Sequence, residues 1–165
     1  MNGSKRLMIG GAIAALVIGL DQWSKALVLA DWPEARQAPV PVIPTIDLAI
    51  NWNHGVSFSM GNNLGGADKF IFVGLSLLVT AGLLVWMFRG VKPLVLTALG
   101  MIVGGALGNS LDRIRFGAVE DFIYFHVGSF QWPVFNLADS AICLGAGLMI
   151  FDSLFDRKLS HKNTP

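Results

Sequence analysis

Phe70-Ile-Phe-Val-Gly-Leu-Ser-Leu-Leu-Val-Thr-Ala-Gly-Leu-Leu-Val-Trp-Met-Phe88 runs for nineteen residues without a charge. Wound as a helix at about 1.5 Å per residue, it covers about 30 Å, the thickness of a bilayer's hydrocarbon core. Three further stretches share this character. Leu94–Leu111 is also uncharged, and the break between the two, Arg89–Pro93, is short enough for a tight turn. Upstream, Leu7–Ala30 is uncharged through Leu20 and then meets Asp21 and Lys25. Downstream, Val134–Leu154 carries Asp139 near its start and Asp152 near its end. The reading is one membrane domain over residues 1–165, with spans at about 7–30, 70–88, 94–111 and 134–154.

Composition agrees. Of 165 residues, 53% are hydrophobic and 14% charged, with a mean hydropathy of +0.59. Soluble domains carry about 25% charged residues, so this chain cannot clothe an ordinary water-facing surface. A soluble enzyme, a nucleic-acid binder and a disordered linker are excluded. A net charge of +1 gives no reason to expect nucleic acid as a partner. One cysteine, Cys143, excludes an intramolecular disulfide and a thiolate metal cluster. Lys5, Arg6 and the apolar run to Leu20 resemble a signal peptide, but no small-x-small cleavage site follows, so the segment reads as a retained span.

Basic residues near the span ends orient the chain. Lys5, Arg6, Arg89, Lys92, Arg157, Lys158 and Lys162 fall on one side, against Arg36, Lys69, Arg113 and Arg115 on the other, seven to four. Both termini are therefore expected in the cytoplasm, with loops at about 31–69 and 112–133 outside. The outer loop Val40–Asn53 has β-branched residues in partial alternation, with prolines suited to an edge, and predicts a small sheet at the membrane surface. Trp32, Trp52 and Trp132 are expected at the interface. Gly100, Gly104 and Gly108, with Gly105 beside them, predict close helix packing. The polar tail after Asp156 is expected to fray.

Ionisable groups in or near a membrane need an account. Asp21 and Lys25, at i and i+4, read as a structural ion pair. Asp112 is expected to form a local network with Arg113 and Arg115. Asp121 and Asp139 differ, because neither has a cation nearby in sequence. Both fall at the outer membrane level, and Pro133 lies between them to turn the chain back. Two carboxylates brought together at low dielectric share one proton, and such a pair holds a general base and a general acid in one unit. Two unrelated interfacial acids remain the alternative on composition alone. Ser24 and Lys25 point about 100° apart on a helix and make a poor dyad. Cys143 reads as packing, and His54 and His126 lack the spacing of a zinc site.

Five blocks occur in order: Asp21-Gln-Trp-Ser-Lys25, Asn53-His-Gly-Val-Ser-Phe-Ser59, Gly104-Gly-Ala-Leu-Gly-Asn-Ser-Leu-Asp-Arg113, Val119-Glu-Asp-Phe-Ile123 and Phe135-Asn-Leu-Ala-Asp-Ser-Ala-Ile142. Together, over nearly the whole chain, they resemble the lipoprotein signal peptidase (signal peptidase II) family of bacteria. The resemblance implies a four-helix aspartic endopeptidase of the inner membrane with an extracytoplasmic β-cradle. It would cut the signal peptide from prolipoproteins just before a diacylglyceryl-modified cysteine. It places the catalytic pair on Asp121 and Asp139, and supporting or substrate-binding roles on Asp21, Lys25, Asn53, Gly55, Asn109, Arg113 and Asn136. It implies membrane lipid as surroundings, no metal and no cofactor. The family commonly has Ala-Ala where this chain has Val56-Ser57, and Val where it has Glu120.

Asn136, three residues before Asp139 at a helix start, suits a capping role. The helix N-terminus would favour the anion on Asp139. The rival reading is a small transporter or proton channel whose acids are relay stations. It predicts acids spread through the bilayer depth, whereas these gather at one face.

Overall fold

Among the described residues of the computed structural model, four long helices stand together, and a four-stranded antiparallel sheet caps one end of them. The structure describes residues 1–55 and 68–162, so Val56, Ser57 and the rest of the motif ending at Ser59 lie outside the described residues. Helix α1 spans Gly3–Asp31, α2 Asp68–Arg89, α3 Pro93–Phe116 and α4 Leu137–Lys162. All four contain segments long and apolar enough to cross a membrane. The large side chains exposed along them, such as Leu16, Leu78, Leu144 and Ile150, are what a lipid-facing surface requires.

Helix α3 is the centre of the bundle. Its glycines let it approach two neighbours at backbone distance, as the small-residue spacing predicted. A Cβ on Gly100 would lie 2.9 Å from the Gly10 carbonyl oxygen, and one on Gly104 would lie 2.7 Å from that of Ala14, both on α1. Gly105 meets the Ala138 carbonyl of α4 in the same way. In lipid, where burial of apolar surface drives little, such close backbone packing carries the association. Leu96, Leu99 and Val103 of α3 join Ala14 and Met87 in the buried apolar core.

Helices α3 and α4 differ in extent from the apolar stretches. Helix α3 runs on to Phe116 and stops where Gly117 takes φ +79°, so Asp112 and Arg113 sit on a helix rather than in a loop. Asp112 is paired there with Lys25 of α1. Helix α4 starts only at Leu137, since Phe135 is held in an extended bridge to Ile123 and Asn136 caps the helix. At its other end α4 continues to Lys162, past the point where fraying was expected.

The sheet runs β1 (Val40–Ile43), β2 (Ile46–Asn53), β3 (Val119–Val127) and β4 (Phe130–Gln131), in that spatial order. Pro41 lies on the edge strand β1, where a missing N–H costs no ladder bond. Between Leu48 and Asn51 the β2–β3 register shifts, after which Asn51 faces Asp121 and Asn53 faces Val119. Side chains alternate along β3, so Asp121 and Glu120 point to opposite faces. Trp52 packs edge-on against Phe116, with ring centroids 5.4 Å apart, and so anchors the sheet to α3.

Candidate active site

The first turn of α4 organises the site. Asn136 is its N-cap: Oδ1 accepts the Asp139 N–H at 2.9 Å, while Asp139 Oδ2 accepts the Asn136 N–H at 3.3 Å. This is a reciprocal capping box in which the acid at the third helical position is Asp139. The other end of the Asn136 amide reaches the sheet. Its Nδ2 donates to Asp121 Oδ1 at 2.7 Å, to the Glu120 carbonyl at 3.2 Å and to Asn109 Oδ1 at 3.1 Å. Asn136 is fully buried and thus ties Asp121, on β3, to Asp139, on α4.

Each carboxylate has a second holder. Asn109, on α3, donates from Nδ2 to Asp139 Oδ1 at 2.8 Å. Asn53, at the end of β2, donates from Nδ2 to Asp121 Oδ2 at 3.0 Å, the diagonal cross-strand neighbour that the register brings close. Asn53 Oδ1 in turn accepts the N–H of Gly55, whose φ of +89° suits glycine. Burial pushes the Asp121 carboxyl up from its ordinary 3.8 to about 6, and the charge of Asp139 acts in the same direction. The hydrogen bonds from Asn53 and Asn136, with the charge of Lys25, offset part of this.

Behind the pair lies a second polar cluster. Lys25 Nζ sits 2.7 Å from Asp21 Oδ2 and 2.7 Å from Asp112 Oδ2, all three side chains being buried. The i, i+4 pairing of Asp21 and Lys25 is as the sequence suggested. Asp112 corrects part of an expectation: among the described residues its ion-pair partner is Lys25 of α1, while its neighbour Arg115 joins it only through Gln22. Adjacent helix positions point about 100° apart, and Asp112 faces α1. Gln22 also donates from Nε2 to Asp112 Oδ1 at 2.7 Å, and its Oε1 accepts from Arg115 at 3.0 Å. Asp21 Oδ1 accepts the Ala138 N–H at 3.0 Å, satisfying one of the free donors at the start of α4. The Asp21–Lys25 pair therefore supports the helix end that carries Asp139.

Arg113, named from the sequence, stands on α3 one residue beyond Asp112. It lies near enough to Asp139, Asp121 and Asp112 to feel each charge. Glu120, on the opposite face of β3, is buried against the second cluster and is pushed from 4.5 to about 7, first by burial and then by Asp112. A groove of about 420 Å³ opens beside Asp121, lined by Asn51, Trp52, Asn53, His54, Gly55, Pro133 and Val134. His126 lies elsewhere, 3.3 Å from Asp47. All nine candidate residues named from the sequence thus fall in two adjoining clusters at one end of the bundle. Asn53, Gly55 and Asp121 line the groove, Asn136, Asn109 and Asp139 join them by hydrogen bonds with Arg113 beside them, and Asp21 with Lys25 lies behind.

Known proteins share this architecture. The model of the family described as Signal peptidase (SPase) II matches residues 13–155. A Lipoprotein signal peptidase of Methylocella silvestris is 38% identical over 151 residues, covering 92% of this chain and 88% of that protein. One of Methylobacterium sp. is 44% identical over 147 residues, covering 87% and 88%. A solved bacterial membrane enzyme, obtained by the in meso method, superposes with a TM-score of 0.77 at 26% identity, covering 90% of this chain and 89% of that one. The chain is a multi-pass membrane protein and a peptidase, and it belongs to the signal peptidase II family.

Proposed function

We propose that this protein is an aspartic endopeptidase that removes signal peptides from prolipoproteins, cutting before a diacylglyceryl-modified cysteine. The observation that carries the reading is the junction at Asn136, which joins Asp139 on α4 to Asp121 on β3, and Asp121 lines a groove. Asp121 holds the shared proton, in keeping with the upward push from its burial. Asp139 is the base, held at the start of α4 by the Asn109 amide.

The steps follow from these roles. Asp139 takes a proton from a water molecule as its oxygen attacks the scissile carbonyl carbon, and Asp121 gives its proton to the carbonyl oxygen. The tetrahedral intermediate collapses as the proton on Asp139 passes to the leaving nitrogen and the C–N bond breaks. Asp121 recovers a proton from the intermediate's hydroxyl as the carboxyl product forms. Asn136 and Asn109 keep the two carboxyl groups in register, so geometry is set before substrate arrives.

The site opens on the extracytoplasmic face of the bacterial inner membrane, with both termini in the cytoplasm, as the seven-to-four bias of basic residues supports. A lipid-modified cysteine then reaches the groove sideways from the bilayer. The transporter reading is not favoured, because the buried acids gather at one end of the bundle. Incubating the purified protein in detergent micelles with a diacylglyceryl-modified prolipoprotein tests the proposal. Release of the signal peptide is expected, with the unmodified precursor left intact. No cleavage of either, by folded protein, would contradict it.

A further inference from the structure

One aromatic ring beside the site has no place in the reaction steps. Phe72 lies on α2, a helix whose sequence reads as plain lipid-facing span. Its ring fills the space that a side chain on Gly55 would need: Cε2 and Cζ would lie 2.7 and 2.9 Å from a Cβ there. The same ring lies under the guanidinium of Arg113, whose Cζ is 5.1 Å from the ring centroid. That is within the range of about 6 Å over which a cation is drawn to an aromatic face.

Arg113 depends on this contact more than its surroundings suggest. Three carboxylates act on its charge, from Asp139 on α4, Asp121 on β3 and Asp112 on α3. Yet among the described residues none forms a salt bridge with it, its hydrogen bond to the Asn109 carbonyl is long at 3.5 Å, and its buried Nε has no partner. Lys25, the cation contributed by α1, is fixed between two carboxylates at 2.7 Å. Arg113 is thus the cation whose place beside the acid pair rests on stacking, for which a planar, weakly hydrated guanidinium is suited. On the other arm, Gly55 leads through its N–H to Asn53 and from Asn53 to Asp121, at 2.8 and 3.0 Å.

We propose that Phe72 is a positioning residue for the hydrolysis, holding Arg113 beside the Asp121–Asp139 pair and setting how closely the Gly55 turn brings Asn53 to Asp121. The inference rests on reading Asp121 and Asp139 as the reacting pair. A cation kept near the pair favours one ionised carboxylate, and a cation set loose does so less, so the carboxyl groups hold their protons to higher pH.

The test compares Phe72→Leu and Phe72→Trp in the full chain in micelles. Two quantities are read: the pH profile of prolipoprotein cleavage, and the titration of aspartate carboxyl carbons by 13C NMR. Phe72→Leu is expected to lower turnover about tenfold, equivalent to about 1.4 kcal/mol and within what a partly desolvated cation–π contact is worth. Both limbs of the profile and the Asp121 titration should move to higher pH. Phe72→Trp should restore both, and Phe72→Met substitutes for Phe72→Leu if that variant does not fold. Unchanged turnover and titration in the non-aromatic variants, or equal loss in Phe72→Trp, would overturn the inference. If wild-type protein cleaves nothing but the Asp121 titration still shifts and recovers as described, the reaction assignment falls while the placing of Arg113 stands.

Discussion

Asn136 donates to Asp121 at 2.7 Å through one end of its amide and accepts the Asp139 N–H at 2.9 Å through the other. Because that second bond is also the N-cap of α4, the start of a membrane helix and the placing of two acids are one structural event. A single buried side chain fixes both.

Asn136→Ala should therefore be costly twice. Loss of the cap costs about 1 kcal/mol of stability, and loss of the bridge lowers turnover by about a hundredfold or more through misplacement of the carboxyl groups. Thermal unfolding in micelles and initial cleavage rates separate the two. A variant with the cap loss but wild-type turnover would show that the bridge does not position the acids.

Asp21→Asn should act chiefly on stability. Lys25 keeps Asp112 as a partner, and asparagine can still accept the Ala138 N–H, but a buried ion pair is broken. Breaking such a pair by removing one partner costs about 3 to 5 kcal/mol, softened here by the remaining carboxylate. Lower yield and melting temperature are expected, with the surviving folded protein still active. A well-folded variant without turnover would move Asp21 into the reacting set.

Glu120→Gln should change the pH dependence of stability and leave turnover in place. The Glu120 carboxyl is raised from 4.5 to about 7 in the folded protein, so the fold binds a proton that the unfolded chain has released over that interval. Stability from this group is full below pH 4.5 and is lost as pH rises through 7, with a total of the order of 3 kcal/mol. Glutamine is neutral throughout, so the variant should gain stability relative to wild type above pH 7. Unfolding measured from pH 5 to pH 8 checks this, and parallel curves for the two proteins would contradict it.

Topology is checked by cysteine accessibility. Single cysteines introduced at Asn2 and Ala38, with Cys143 replaced, should label from opposite sides of the membrane. Labelling from the same side would remove the proposed orientation of the site.

The helices were legible because uncharged runs of membrane length leave few other readings. β1 and β2 were legible through the β-branched residues and prolines of Val40–Asn53. β3 was not, because Glu120 and Asp121 interrupt its apolar alternation, and both are buried, on opposite faces, by packing from the rest of the fold. Asp121 and Asp139 stood out as acids without local cations. The supporting residues around them came from motif resemblance, and their contacts join positions such as Asn53 and Asp121 that lie 68 residues apart. The Lys25–Asp112 pair and the contact of Phe72 with Arg113 were invisible for the same reason. No periodicity in a single span reports what a neighbouring helix presents to it.

The central claim, that Asp121 and Asp139 act as one unit, is tested most directly by cleavage assays of Asp121→Asn, Asp139→Asn and the double variant, each shown to be folded. Asparagine keeps the shape of either side chain but can neither accept the proton of water nor give one to a carbonyl. Each single variant should lose cleavage, and the double should be no worse than either, as residues acting together are not additive. In wild type, activity should fall at low pH as the pair gains a second proton, and at high pH as it loses the one whose site burial raises to about 6 on Asp121. Substantial cleavage by either single variant, or a double variant reduced by the product of the two single effects, would contradict the account.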